Sequence, residues 1–196
     1  MDIPYTFQER RDTGLTNGKI GIWLFLASEV MLFGALFASY ILIRTGSPSW
    51  PRGDTVLDVY LATFNTIVLI TSSVTMVMAW ASLMRRKFGT FRMYMGATIL
   101  LGAVFLVVKY FEYSHHFAIG EGPSHSNFLA VYYTLTGLHM LHVFGGMVVN
   151  AYFWGPGAKQ WKTNPEWFTN RVEYSGLFWH FVDLVWIFLF PTLYLL

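Results

Sequence analysis

Apolar residues fall into five long runs, each separated by a short polar or glycine- and proline-rich break. The runs cover Ile20 to Ile43, Tyr60 to Met84, Met93 to Phe117, Asn127 to Phe153 and Val172 to Leu195. A helix needs about 20 mostly apolar residues to cross a bilayer, and each run meets that length. Five spans take up roughly 120 residues of a chain of 196, which leaves no room for an independent soluble domain. The breaks carry turn chemistry, as in Gly46-Ser47-Pro48-Ser49-Trp50-Pro51-Arg52-Gly53, Gly120-Glu121-Gly122-Pro123-Ser124 and Gly155-Pro156-Gly157. Residues 1–19 are polar and lack the short apolar core of a secretion signal. They read as an uncleaved tail, and residues 20–196 as a single domain. The expected fold is all-α, an integral membrane bundle of five transmembrane helices.

Composition supports the same class. Only 12% of residues are charged, whereas 55% are hydrophobic. A soluble domain carries about 25% charged residues, so this chain could not cover a globule with polar surface. The net charge is +2, without the clustered basic footprint of a nucleic-acid binder. Cysteine is absent, which excludes thiolate metal ligands and cysteine nucleophiles. Phosphate-cradling glycine loops, nucleophile elbows and zinc-protease motifs are missing too.

Charge does set an orientation. Arg10, Arg11, Lys19, Arg85, Arg86, Lys87, Arg92, Lys159, Lys162 and Arg171 fall on connections that alternate to one face. The other face holds Arg44 and Arg52. The positive-inside rule then puts the N-terminus inside and the C-terminus outside. Trp23, Trp50, Trp80, Trp154 and Trp167 fall near the span ends, as an aromatic belt would.

Ionisable residues inside the spans are the candidate functional groups, because each is costly in lipid and turns toward the bundle interior. They are Glu29, Lys109, Glu112, His139, His142, His180 and Asp183. Counting the helical rise from the inside face, Glu29 lies about 14 Å deep, His180 about 12 Å, and His142 and Asp183 about 16 Å. These four share one layer on different helices, with Ser72 and Thr75 close to it. His139 and His142 lie on one helix face, as do His180 and Asp183, and Lys109 can pair with Glu112. A lone carboxylate in hydrocarbon is costly, and a nearby imidazole lets it ionise or share a proton. Two roles stay open for the His–carboxylate sets: interhelical hydrogen-bonding glue and proton handling. A His-x-x-His pair could also ligate haem or a metal, although the remaining ligands of such a site are not visible. Methionines read as core filler and Gly145-Gly146 as a point of close helix approach.

Four segments carry a family resemblance. Gly21-Ile22-Trp23-Leu24-Phe25-Leu26-Ala27-Ser28-Glu29-Val30-Met31-Leu32-Phe33 resembles the glutamate-bearing helix of subunit III of haem–copper oxidases. Thr63-Phe64-Asn65-Thr66 through Ser73 is similar to its next helix. Thr136-Gly137-Leu138-His139-Met140-Leu141-His142-Val143 and Phe178-Trp179-His180-Phe181-Val182-Asp183-Leu184-Val185-Trp186 resemble two further helices of that family, in the same order. The chain resembles the short five-helix bacterial form, which lacks the first two helices of the long form and is similar in organisation to quinol oxidase subunit III.

That resemblance implies an accessory subunit of a proton-pumping aerobic terminal oxidase in the bacterial inner membrane. It implies no redox centre here, haems and copper in partner subunits, and bound phospholipid. Subunit I is the implied direct partner, with subunit II and a small subunit IV in the same complex. The implied role is stability, lipid binding and proton uptake for the core subunit. Glu29 matches the family's carbodiimide-reactive carboxylate, and Glu112 with Tyr113 matches its Glu-Tyr. His139, His142, His180 and Asp183 match polar interior positions. A partner of a nitric oxide reductase, an autonomous proton pathway and a haem-binding membrane anchor are the alternatives.

Overall fold

The computed structural model describes residues 15–196, and these are helical almost throughout. In chain order the elements are α1 (Asn17–Gly46), α2 (Gly53–Val56), α3 (Val59–Met84), α4 (Phe88–Ala118) and α5 (Asn127–Trp154). A 3-10 turn (Pro156–Lys159), α6 (Gln160–Thr163), α7 (Pro165–Phe190) and a π-helical turn (Pro191–Leu195) follow. Five helices are long and apolar enough to cross a membrane. The expected all-α five-span bundle is therefore the fold. Residues 1–14 of the expected tail, with Arg10 and Arg11, lie outside the described residues.

Side-chain caps set where four helices begin. Thr16, Asp58, Ser126 and Asn164 each accept a backbone N–H three residues on, satisfying a donor that the helix itself leaves free. These caps explain where the hydropathy reading falls short. α1 starts at Asn17 because Thr16 caps it, so Asn17, Gly18 and Lys19 belong to the helix rather than the tail. α7 starts at Pro165, seven residues before the apolar run, because Asn164 caps it and Pro165 suits its first turn. α4 starts at Phe88, five residues before its run. Phe88 stacks on Trp161 at 5.6 Å, so its first turn is anchored by packing.

α3 and α4 form a tight antiparallel pair, and α7 packs against α3, α5 and α1. Two tryptophans of α7 fill the bundle centre. Trp179 donates to Ser72 Oγ of α3 at 3.1 Å and lies against Gly102 of α4 and Gly146 of α5. Two turns along, Trp186 donates to Thr66 Oγ1 at 2.9 Å and meets Phe105 edge-on at 4.9 Å. Both indole N–H groups are thus satisfied without water, as the interior of a membrane protein requires.

α1 joins the bundle along one narrow seam. Leu26, Phe33 and Tyr40, seven residues apart, are buried, and Ile22, Glu29 and Leu36, each four residues before one of them, are half-buried. This is heptad packing against α7 and α5. The rest of α1 is exposed and apolar, including Leu24, Met31 and Leu42, a surface suited to lipid or a neighbouring helix rather than to water.

The glycine pair separates packing from exposure. A Cβ at Gly146 would stand 2.9 Å from the Trp179 ring, whereas one at Gly145 meets nothing within 4 Å. Gly146→Val should destabilise the fold by about 1–3 kcal/mol, the usual cost of overpacking. Gly145→Val should leave the thermal unfolding midpoint in detergent unchanged.

Candidate functional site

The buried polar residues sort into three groups in different parts of the bundle. The first joins α1 to α5. Glu29 Oε2 lies 2.9 Å from His142 Nε2, and both side chains are 14% exposed. His142 Nδ1 lies 2.8 Å from the backbone oxygen of Leu138. A carbonyl only accepts, so Nδ1 donates and carries a hydrogen. The contact between Nε2 and Oε2 then holds one proton, on the carboxyl group or on the ring. Phe33 packs edge-on against the His142 ring at 5.1 Å, with Phe178 at 6.3 Å. The dyad is a single-proton link inside an aromatic frame.

The second group lies nearer the opposite end of the bundle. Lys109, fully buried, donates to Glu112 Oε2 at 2.9 Å. Glu112 Oε1 accepts from Tyr132 Oη of α5 and from Tyr194 Oη of the C-terminal turn, both at 2.7 Å. Lys109 Nζ also donates to Tyr194 Oη and lies 4.9 Å from the centre of the Trp186 ring. Both carboxylate oxygens of Glu112 have a donor, and the cation rests on aromatic faces. Glu112 borders a cavity of about 440 Å³ that also meets Asp58, His116 and Glu121. His116 Nδ1 and Glu121 Oε2 are 2.7 Å apart.

The third group lies at the bundle centre. His139 is fully buried, stacked on Trp186 at 5.2 Å and edge-on to Phe105 at 5.6 Å, with neither ring nitrogen hydrogen-bonded. His139 and His142 therefore part company: one faces the Trp186 layer, the other faces α1. His180 and Asp183 do not pair either. His180 Nδ1 lies 2.6 Å from Ser73 Oγ of α3. The Asp183 carboxyl is buried between the Trp179 and Trp186 layers. Its oxygens have no partner of normal hydrogen-bond geometry, although the Ser73 hydroxyl lies beside them. Spacing of three places two side chains on one face, but the bundle decides what each face meets.

Sequence reading missed Ser73, Tyr132 and Tyr194. A tyrosine or serine in a membrane span carries no spacing signal, and only the fold brings these hydroxyls to the charged groups. Among the described residues, no three His, Asp or Glu side chains converge as a metal site requires.

A family model described as Cytochrome c oxidase subunit III matches residues 4–196. The chain belongs to that family. It is 32% identical over 199 residues to cytochrome bo(3) ubiquinol oxidase subunit 3 of Pseudomonas aeruginosa, covering 100% of this chain and 92% of that one. It is 34% identical over 184 residues to cytochrome c oxidase subunit 3 of Bacillus subtilis, covering 92% and 86% of the two chains. A probable cytochrome c oxidase subunit 3 of Nocardia farcinica is 38% identical over 178 residues, covering 90% of this chain and 86% of that one. The chain is thus a haem–copper oxidase subunit III and a component of an oxidoreductase complex. These relatives match it almost end to end.

The Lys109–Glu112 pair gives this subunit a clear stability test. Lys109→Met leaves the Glu112 carboxylate buried without its cation and should cost about 3–5 kcal/mol. The double change Lys109→Met with Glu112→Leu removes both charges and should recover much of that loss. Thermal unfolding in detergent reads both. Equal destabilisation by the single and double changes would mean that the stranded charge is not the cause.

Proposed function

We propose that this subunit III sits directly beside subunit I of a proton-pumping terminal oxidase, with subunits II and IV in the same complex. It carries no catalytic centre of its own there. It stabilises the core subunit, holds phospholipid at its surface and supports proton uptake. The haems and copper belong to the partners. The observation that carries this reading is the family match across residues 4–196, together with the single-proton dyad of Glu29 and His142 in the seam of the least buried helix. An apolar groove of about 250 Å³ between α1 and α7, walled by Phe33, Phe37, Phe181, Leu184 and Phe188, suits an acyl chain. Lys19, Arg85, Arg86, Lys87, Arg92 and Arg171 gather toward one end of the bundle. On the positive-inside rule that end faces the cytoplasm, in a bacterial inner membrane.

The decisive experiment is an affinity pull-down through this chain in mild detergent. Co-eluting large subunits and a haem signal in the reduced-minus-oxidised spectrum are expected. A colourless single polypeptide after gentle extraction would overturn the reading.

The dyad adds a second test. In Glu29→Gln the amide can still donate to His142 Nε2, so complex yield should match the parent. Glu29→Leu leaves His142 without that partner, at about 1–3 kcal/mol for an unsatisfied buried group, and should lower the yield of complex measured by haem per chain. Similar yields for the leucine and glutamine variants would show that the link does not hold α1 in place.

A further inference from the structure

The α3–α7 side of the bundle holds a polar line that the Glu29 dyad does not use. A groove of about 220 Å³ between these helices has apolar walls from Met76, Val77 and Leu177, with Trp80, Glu173 and His180 as its polar groups. It rises from Trp80 and Glu173, near the basic end, to His180, seven residues or about 10 Å further along α7. At its mouth Glu173 Oε1 pairs with Lys19 Nζ at 2.7 Å, both groups partly exposed. Trp80 Nε1 is buried on the groove wall without a protein acceptor. The groove has room for several waters of about 30 Å³ each. At the far end His180 Nδ1 meets Ser73 Oγ at 2.6 Å. The Ser73 hydroxyl also lies beside the buried carboxyl of Asp183, whose oxygens have no hydrogen bond of normal geometry.

We propose that Asp183 is a buried proton-exchange site, reached from the basic end through the α3–α7 groove, with His180 and Ser73 as its relay. A proton from groove water binds His180 Nε2. The Nδ1 proton passes to Ser73 Oγ, and the Ser73 hydroxyl proton passes to the Asp183 carboxylate. The ring is left as the neutral tautomer with hydrogen on Nε2, and no electron changes hands. The reverse sequence empties the site. A hydroxyl is required between ring and carboxylate, because His180 and Asp183 lie on one helix without contacting each other. The Trp179 and Trp186 N–H groups, committed to Ser72 and Thr66, take no part in the relay. The relay ends at Asp183. Its placement beside a proton-consuming core rests on the function proposed above. The exchange itself belongs to this chain.

The test uses the complex as purified through this chain, with infrared spectroscopy. The carboxylic acid band lost in Asp183→Asn reports the stored proton, and transfer to heavy water reports its exchange. Ser73→Ala and His180→Phe should each slow that exchange by about a hundredfold, the low end of what a positioned proton-transfer group contributes. Glu29→Gln should leave it unchanged. Exchange in Ser73→Ala as fast as in the parent would overturn the relay. So would the absence of any acid band lost in Asp183→Asn, or equal slowing in Glu29→Gln. Ser73→Ala removes one small hydroxyl and keeps the test available if His180→Phe does not assemble. Relay-dependent exchange in a chain that purified without haem partners would overturn the subunit placement and leave the relay standing.

Discussion

Lys109 is fully buried in a bundle surrounded by lipid-type surface, and its charge has to be answered from within. The answer draws on three helices and the chain's last turn. Glu112 lies one turn away on α4, Tyr132 comes from α5, and Tyr194 from the turn after α7. Trp186 lies beneath the ammonium group and carries His139 on its own stacked face. The position of α7 relative to α4 and α5 is thus bound to one ion pair. Hydrogen bonds alone are weak holders of membrane helices, at about 0.6 kcal/mol on average. A buried pair differs because removing one partner strands a charge.

The C-terminal turn owes its shape to the same knot. Pro191 has no N–H to continue the α-helical ladder, and the chain widens to a π-helical turn over Pro191–Leu195. That turn swings Tyr194 inward. It also offers Thr192 O to Tyr40 Oη at 2.9 Å and Leu196 O to Arg44 at 3.0 Å. α1 is therefore tied at three heights: Lys19 to Glu173 at one end, Glu29 to His142 in the middle, and Tyr40 and Arg44 to the carbonyls of Thr192 and Leu196 at the other. Between these ties its seam buries only Leu26, Phe33 and Tyr40. A helix held by a few polar ties and one narrow stripe keeps most of its circumference for other surfaces, as an accessory subunit with a neighbouring core requires.

The polar interior works as separate compartments rather than one layer. Depth counting along the helices groups Glu29, His142, His180 and Asp183 at one level, and that is a statement about height alone. The azimuth around each helix sends Glu29 and His142 toward the α1–α5 contact and His180 toward α3. Asp183 sits between two tryptophan layers. Trp186 and Phe105 enclose His139, and the same Trp186 ring lies beneath Lys109, so this indole is the wall that two compartments share.

Much of this architecture follows from the amino-acid order. Apolar run length reports five spans because lipid demands about 20 apolar residues per crossing, and charges inside those runs mark Glu29, Glu112, His139, His142, His180 and Asp183 as interior groups. The family motifs are equally local. Helix starts were only partly legible, since Asn164 caps α7 well before its apolar run begins and hydropathy is blind to a cap. Tertiary structure alone decided the partners. Glu29 meets His142 across 113 positions and His180 meets Ser73 across 107, distances over which sequence spacing carries no information. Helical periodicity fixes which face a side chain occupies. Which neighbour fills that face depends on how the helices rotate and pack, and that is set by the whole bundle at once.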